Sequence, residues 1–161
     1  MAEDTSFEAR PDRLRTLCRG LAVCALALLA AAAAPASTAA GEASMTAKRA
    51  YAETAAASRT LIDVRSPQEW RASGLPQGAR TVTIHQPGTA FLDAILAAVG
   101  GDKDRPIALI CATGARSARA QGFLAAQGFT DVANVAGGLF GAPDAAGWVN
   151  SGLPLEPCPR C

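Results

Sequence analysis

The sequence predicts an α/β fold in which a parallel sheet is covered on both faces by helices. Short apolar runs at residues 60–64, 81–84, 107–110 and 131–135 alternate with segments of helical spacing, and Gly and Pro punctuate the junctions. An alanine-rich stretch at residues 42–58, with Tyr51 among charges, reads as a first helix beginning after Ser44 or Thr46. Residues 60–64 follow as a strand. Pro67 with Gln68, Glu69 and Trp70 marks a helical turn, because proline suits a first turn. Gly74, Pro76 and Gly78 break the chain before a second strand at residues 81–84. Phe91, Leu92, Ile95, Leu96 and Val99 recur at helical spacing, and Gly100 and Gly101 end that helix. The run at 107–110 is the next strand, and residues 117–127 the next helix. A last strand at 131–135, a tight turn at Gly137 and Gly138, and a short helix at 147–149 complete the pattern.

Length and composition bound the function. A chain of 161 residues with a formal net charge of +1 allows one domain and carries no strong field toward polyanions. Five Phe, two Trp and one Tyr, with no basic stripe between them, exclude a nucleic-acid surface. The first forty residues read as a secretory signal. Arg13, Arg15 and Arg19 precede an apolar stretch at 21–34, and small residues at 36–40 follow. The apolar stretch is shorter than the roughly 20 residues a membrane span needs, so cleavage after Ala39 or Ala40 is expected, with an uncleaved anchor as the alternative. The acidic residues Glu3, Asp4 and Glu8 are unusual in such a leader. The mature protein is expected in the periplasm or outside the cell, without stable membrane association. Its organisation would be a domain at residues 41–156 and a short tail at 157–161. Cys18 and Cys24 leave with the leader, and Cys111, Cys158 and Cys161 remain.

Chemistry concentrates in Cys111, Ala112, Thr113, Gly114, Ala115, Arg116 and Ser117, between a strand and a helix. Unpaired N–H groups and the positive end of a helix dipole converge at such a place, where they hold an anion and favour a thiolate. Gly114 lets the backbone turn tightly enough to aim those groups inward. Ligand sites of parallel sheets lie beyond the carboxyl ends of the strands. Cys111 ends one strand, Asp63 and Arg65 end another, and their loops are placed to share a rim.

Three segments, taken together, resemble the rhodanese family in its single-domain form. Leu61, Ile62, Asp63, Val64, Arg65, Ser66, Pro67, Gln68, Glu69 and Trp70, then Leu75, Pro76, Gln77, Gly78 and Ala79, are similar to its amino-terminal signature. Residues 111–117 are similar to its active-site loop, and Gly128 and Phe129 through Gly137, Gly138 and Trp148 to Pro154 to its carboxy-terminal segment. The resemblance covers nearly all of residues 46–156. It implies a three-layer rhodanese-like fold and a sulfurtransferase. Cys111 would take sulfane sulfur from a small donor, thiosulfate or a persulfide, and pass it to a thiol or to cyanide without a cofactor or metal. The six positions from Cys111 through Arg116 match the sulfurtransferase loop rather than the longer loop of related phosphatases and arsenate reductases. Ala112 departs from the family, which often has arginine there, so a cation near the mouth is lost and affinity for thiosulfate should be reduced. Asp63 and Arg65 are carried over as a structural pair that orients loops.

Individual residues leave alternatives open. Arg116 points at the loop or at a substrate anion, locks loop carbonyls, or is a solvated residue of the helix start, and Ser117 either caps the helix, the favoured reading, or donates to the sulfur. Trp70 and Trp148 are read as core. His85 is read as a surface or satisfied loop residue with no acid partner near it and far from the loop in sequence. The family does not explain Cys158, Pro159, Arg160 and Cys161, which form a small disulfide or a loose tail, a redox dithiol that resolves the Cys111 persulfide, or part of a metal site shared between chains. Two other functions compete: a non-catalytic sulfur-carrier or binding module of the same fold, and a thiol oxidoreductase using Cys158 and Cys161.

Overall fold

The computed structural model describes residues 43–161, so the leader expected over residues 1–40 lies outside them. Five parallel strands form the central sheet in the order β1-β6-β5-β2-β4: β1 Ser44–Met45, β2 Thr60–Asp63, β4 Arg80–Thr81, β5 Ile107–Ile110 and β6 Val132–Val135. β2, β5 and β6 pair in register, with Leu61 opposite Ala108 and Ala108 opposite Ala133. Because side chains alternate across a strand, the sheet has two apolar faces. Ile62, Ile107, Leu109 and Val132 face α3 (Gly88–Val99) and α4 (Ala115–Ala126), where Phe91, Ile95, Val99, Ala120 and Leu124 complete one core. Leu61, Ala108, Ile110, Ala133 and Val135 face the other way. They pack with Ala47 and Ala50 of α1 (Ala47–Ala55) and Trp148 of α5 (Gly147–Asn150). The three-layer α/β architecture predicted from sequence is thus present.

Local chemistry sets the helix ends. The Thr46 side chain accepts from Arg49 N–H and starts α1. Ser66 and Glu69 form a reciprocal capping box at the start of α2 (Pro67–Ser73), with Pro67 in the first turn. Gly100, in the left-handed conformation, ends α3. Both tryptophans are core. Trp148 is fully buried, donates from Nε1 to Pro154 O at 2.9 Å and meets Tyr51 edge-on with ring centroids 5.7 Å apart, and Trp70 is buried on α2.

Three details differ from the sequence reading. Of the second strand expected at residues 81–84 only Thr81 pairs as a strand, together with Arg80 before it, although Val82 N–H and Ile84 N–H still donate to Asp63 O and Val64 O as the chain turns away. β1 joins the edge of the sheet beside β6. A separate antiparallel ribbon joins β3 (Leu75–Pro76) to β7 (Leu155–Glu156), bringing the carboxy-terminal segment back onto the end of α2. There Cys158 and Cys161 form a disulfide, and Arg71 of α2 donates to the Cys161 carbonyl at 2.6 Å.

Candidate active site

Cys111 follows β5 directly, and its side chain is buried, with 1% exposure. It is the one free cysteine among the described residues. Gly114, at φ 98°, turns the chain into α4 with no side-chain cap, so the first turn of the helix is left with unpaired N–H groups. The sulfur serves as an acceptor there. Gly114 N–H donates to Sγ at 3.2 Å, and the Ser117 hydroxyl lies 3.3 Å from Sγ and 3.1 Å from Gly114 O. Burial pushes the thiol up. The Ser117 hydroxyl and the N–H groups of Ser117, Thr113 and Gly114 oppose it, and their sum holds the thiol below its ordinary value. The favoured reading of Ser117 as a helix cap is therefore corrected. Gly114 occupies the cap position, and Ser117, fully buried one turn inside, has its hydroxyl on the sulfur.

Behind the loop, Leu139 N–H donates to Cys111 O at 2.8 Å and Phe140 N–H to Ala112 O at 2.9 Å. The turn at Gly137 and Gly138 thereby supports the loop from the end of β6.

Asp63 and Arg65 lie at the end of β2, both at 0% exposure. Arg65 Nη2 and Nε bond Asp63 Oδ2 at 2.7 and 2.9 Å, Nη1 donates to Ser73 Oγ at 2.6 Å, and Nη2 to Gly74 O at 2.8 Å. A buried ion pair of this kind holds only when its remaining donors are also satisfied. Here they fix the far end of α2 to β2.

Arg116 neither locks loop carbonyls nor stands free. Its Nη2 and Nη1 bond Glu69 Oε1 at 2.5 Å and Oε2 at 2.8 Å, joining α4 to α2 across the mouth. Glu69 is the rim residue that the sequence reading did not place at the site. Its signal was the Ser66-x-x-Glu69 capping box, which fixes where the carboxylate stands. The Arg116 guanidinium is the main cause that holds this carboxyl at about 2; burial opposes it, and the Ser66 N–H and hydroxyl assist. His85, read as a surface or satisfied loop residue, is exposed, and its Nε2 lies 3.2 Å from Arg116 Nη1. The strand end at residues 80–84 folds over the same rim and carries it there. An open groove of about 740 Å³ beside this rim is lined by Ser66, Gln68, Glu69, Thr83, His85 and Arg116. Among the described residues no group of three or more His, Cys, Asp or Glu side chains is placed to hold a metal ion.

The model of the rhodanese-like domain matches residues 46–142. The thiosulfate sulfurtransferase GlpE of Actinobacillus pleuropneumoniae serotype 3 (strain JL03) is 36% identical over 97 residues, 60% of this chain and 77% of that one. GlpE of Pseudomonas syringae pv. syringae (strain B728a) is 35% identical over 79 residues, 49% of this chain and 67% of that one. Among solved structures, the polysulfide-sulfur transferase homodimer of Wolinella succinogenes superposes with a TM-score of 0.55 at 30% identity, covering 73% of this chain and 80% of that one. Rv0390 of M. tuberculosis superposes with a TM-score of 0.56 at 28% identity, covering 72% and 98%. A matched model that spans more than half the chain, together with relatives of this identity, leads to one conclusion: the chain belongs to the rhodanese-like domain family.

Proposed function

We propose that this protein is a sulfurtransferase that carries sulfane sulfur as a persulfide on Cys111. The observation that carries the reading is the buried Cys111 sulfur, with the Gly114 N–H at 3.2 Å and the Ser117 hydroxyl at 3.3 Å. Such donors stabilise a thiolate as nucleophile and, after transfer, a persulfide anion in a slightly larger version of the same cradle. Neither step needs a general base once the thiolate is formed. In the first, the thiolate attacks the sulfane sulfur of thiosulfate, an S–S bond forms, and sulfite leaves with the electron pair of the broken S–S bond. In the second, a thiolate or cyanide attacks the outer sulfur, and Cys111 leaves as thiolate. The names of the GlpE relatives and of the Wolinella protein support this reaction class.

The partners proposed are a small donor, thiosulfate or a persulfide, and a thiol acceptor. Export to the periplasm or beyond is proposed from the basic, apolar and small-residue order of the first forty residues. The Cys158–Cys161 disulfide supports it, since such bonds persist in oxidising compartments.

Thiocyanate formation from thiosulfate and cyanide tests the activity, and the intact mass after donor treatment tests the intermediate. Wild type should turn over and gain one sulfur atom, Cys111→Ser should do neither, and a Cys158→Ser, Cys161→Ser variant should do both. Loss of turnover in the tail variant, with Cys111→Ser active, would place the chemistry in the tail instead.

A further inference from the structure

We infer that Glu69 sets the charge of the donor that the site accepts: by holding Arg116 in a neutral pair, it favours monoanionic sulfane-sulfur donors over dianionic thiosulfate. The inference rests on the sulfurtransferase reading above and narrows its donor class.

The carboxylate is built into the helix start. Oε2 of Glu69 accepts from Ser66 N–H at 2.9 Å and from the Ser66 hydroxyl at 3.0 Å while both carboxylate oxygens engage Arg116. It therefore stays beside the guanidinium as a donor approaches. A guanidinium has five N–H bonds. On Arg116 two face Glu69 and a third lies beside His85 Nε2. Among the Arg, Lys, Asp and Glu side chains, the rim groove is lined by Arg116 and Glu69, one of each sign. Ala112 adds no charge at the second loop position, and Arg119, the next cation along α4, lines a different groove with Ile84, Phe91 and Phe123. A donor entering from the rim meets a guanidinium already paired with Glu69 and interacting with the Cys111 sulfur itself, so no net cation is left to offset the donor's own charge. A dianion is penalised about twice as much as a monoanion by the same field.

Thiosulfate and methanethiosulfonate form a matched pair of donors, both offering a terminal sulfane sulfur and differing by one negative charge. With the second, the Cys111 thiolate takes that sulfur and methanesulfinate leaves with the electron pair of the broken S–S bond. The test compares kcat/KM for both donors in wild type and Glu69→Gln. Glutamine keeps the acceptor of the capping box and removes the charge. The expected result is that thiosulfate gains on methanethiosulfonate by on the order of fivefold, through a lower KM. An unchanged ratio, or one that moves the other way, overturns the inference. Wild type gives a second test: raising ionic strength should help thiosulfate more than methanethiosulfonate, and equal dependence overturns it. Failure of the underlying reading looks different, because Cys111 would then gain no sulfur from either donor.

Discussion

The N–H of Leu139 donates to the carbonyl oxygen of Cys111 at 2.8 Å, which ties the residue bearing the thiol to the chain that leaves β6. One residue earlier, Gly138 at φ 55° passes so close beneath the loop that a Cβ there would lie 2.8 Å from Ala112 C and Gly114 N, and closer still to Cys111 O. These contacts are backbone to backbone and do not relax by side-chain rotation.

Gly138→Ala is accordingly expected to destabilise the fold by at least about 2 kcal/mol and to slow alkylation of Cys111. Urea unfolding and iodoacetamide kinetics measure the two effects. Wild-type values for both would show that the loop does not depend on this close approach.

Ser117→Ala removes the hydroxyl on the Cys111 sulfur, the largest of the influences that lower this thiol. The midpoint of the alkylation rate against pH should move upward, and the rate at pH 7 should fall. A profile that stays in place would leave the backbone N–H groups as the sole source of the lowered thiol.

The Glu69 carboxyl is held at about 2 in the folded chain against an ordinary 4.5. Between these values the unfolded chain binds a proton that the folded chain does not. The stabilisation is therefore complete above 4.5 and is lost as pH falls toward 2. The urea midpoint of wild type should drop more steeply over that interval than that of Glu69→Gln. Parallel curves would mean that the pair with Arg116 adds nothing to stability.

Asp63→Asn leaves the Arg65 guanidinium buried without its counter-ion. A loss of about 3–5 kcal/mol is expected. Thermal unfolding checks it, and a loss below about 1 kcal/mol would mean that Ser73 Oγ and Gly74 O suffice to hold the charge.

Much of this molecule is legible in its sequence, for identifiable reasons. The runs containing Leu61 and Leu109 are apolar on both sides because helices cover both faces of the sheet, and the loop at Cys111 announces itself by a thiol before a glycine and a helix. What escaped depends on partners distant along the chain. Ser44 and Met45 form a strand only because β6 is beside them, with Met45 opposite Val135. Leu75 and Pro76 pair only because Leu155 and Glu156 return. Glu69 and His85 reach Arg116 through folding alone, across separations of 47 and 31 residues, so spacing assigns them no shared site. Ser117 was misassigned because the turn at Gly114 already begins the helix, and the sulfur rather than a side-chain cap meets its first N–H groups.

The support that residues 138–140 give to the loop also has a temporal meaning. Until β6 has docked on β5 there is no Leu139 N–H or Phe140 N–H to shape the turn, and a thiol on an unstructured chain reacts as ordinary cysteine does. During refolding, the uptake of an alkylating reagent by Cys111 would therefore timestamp the docking of that segment, making the nucleophile a clock for the completion of its own scaffold.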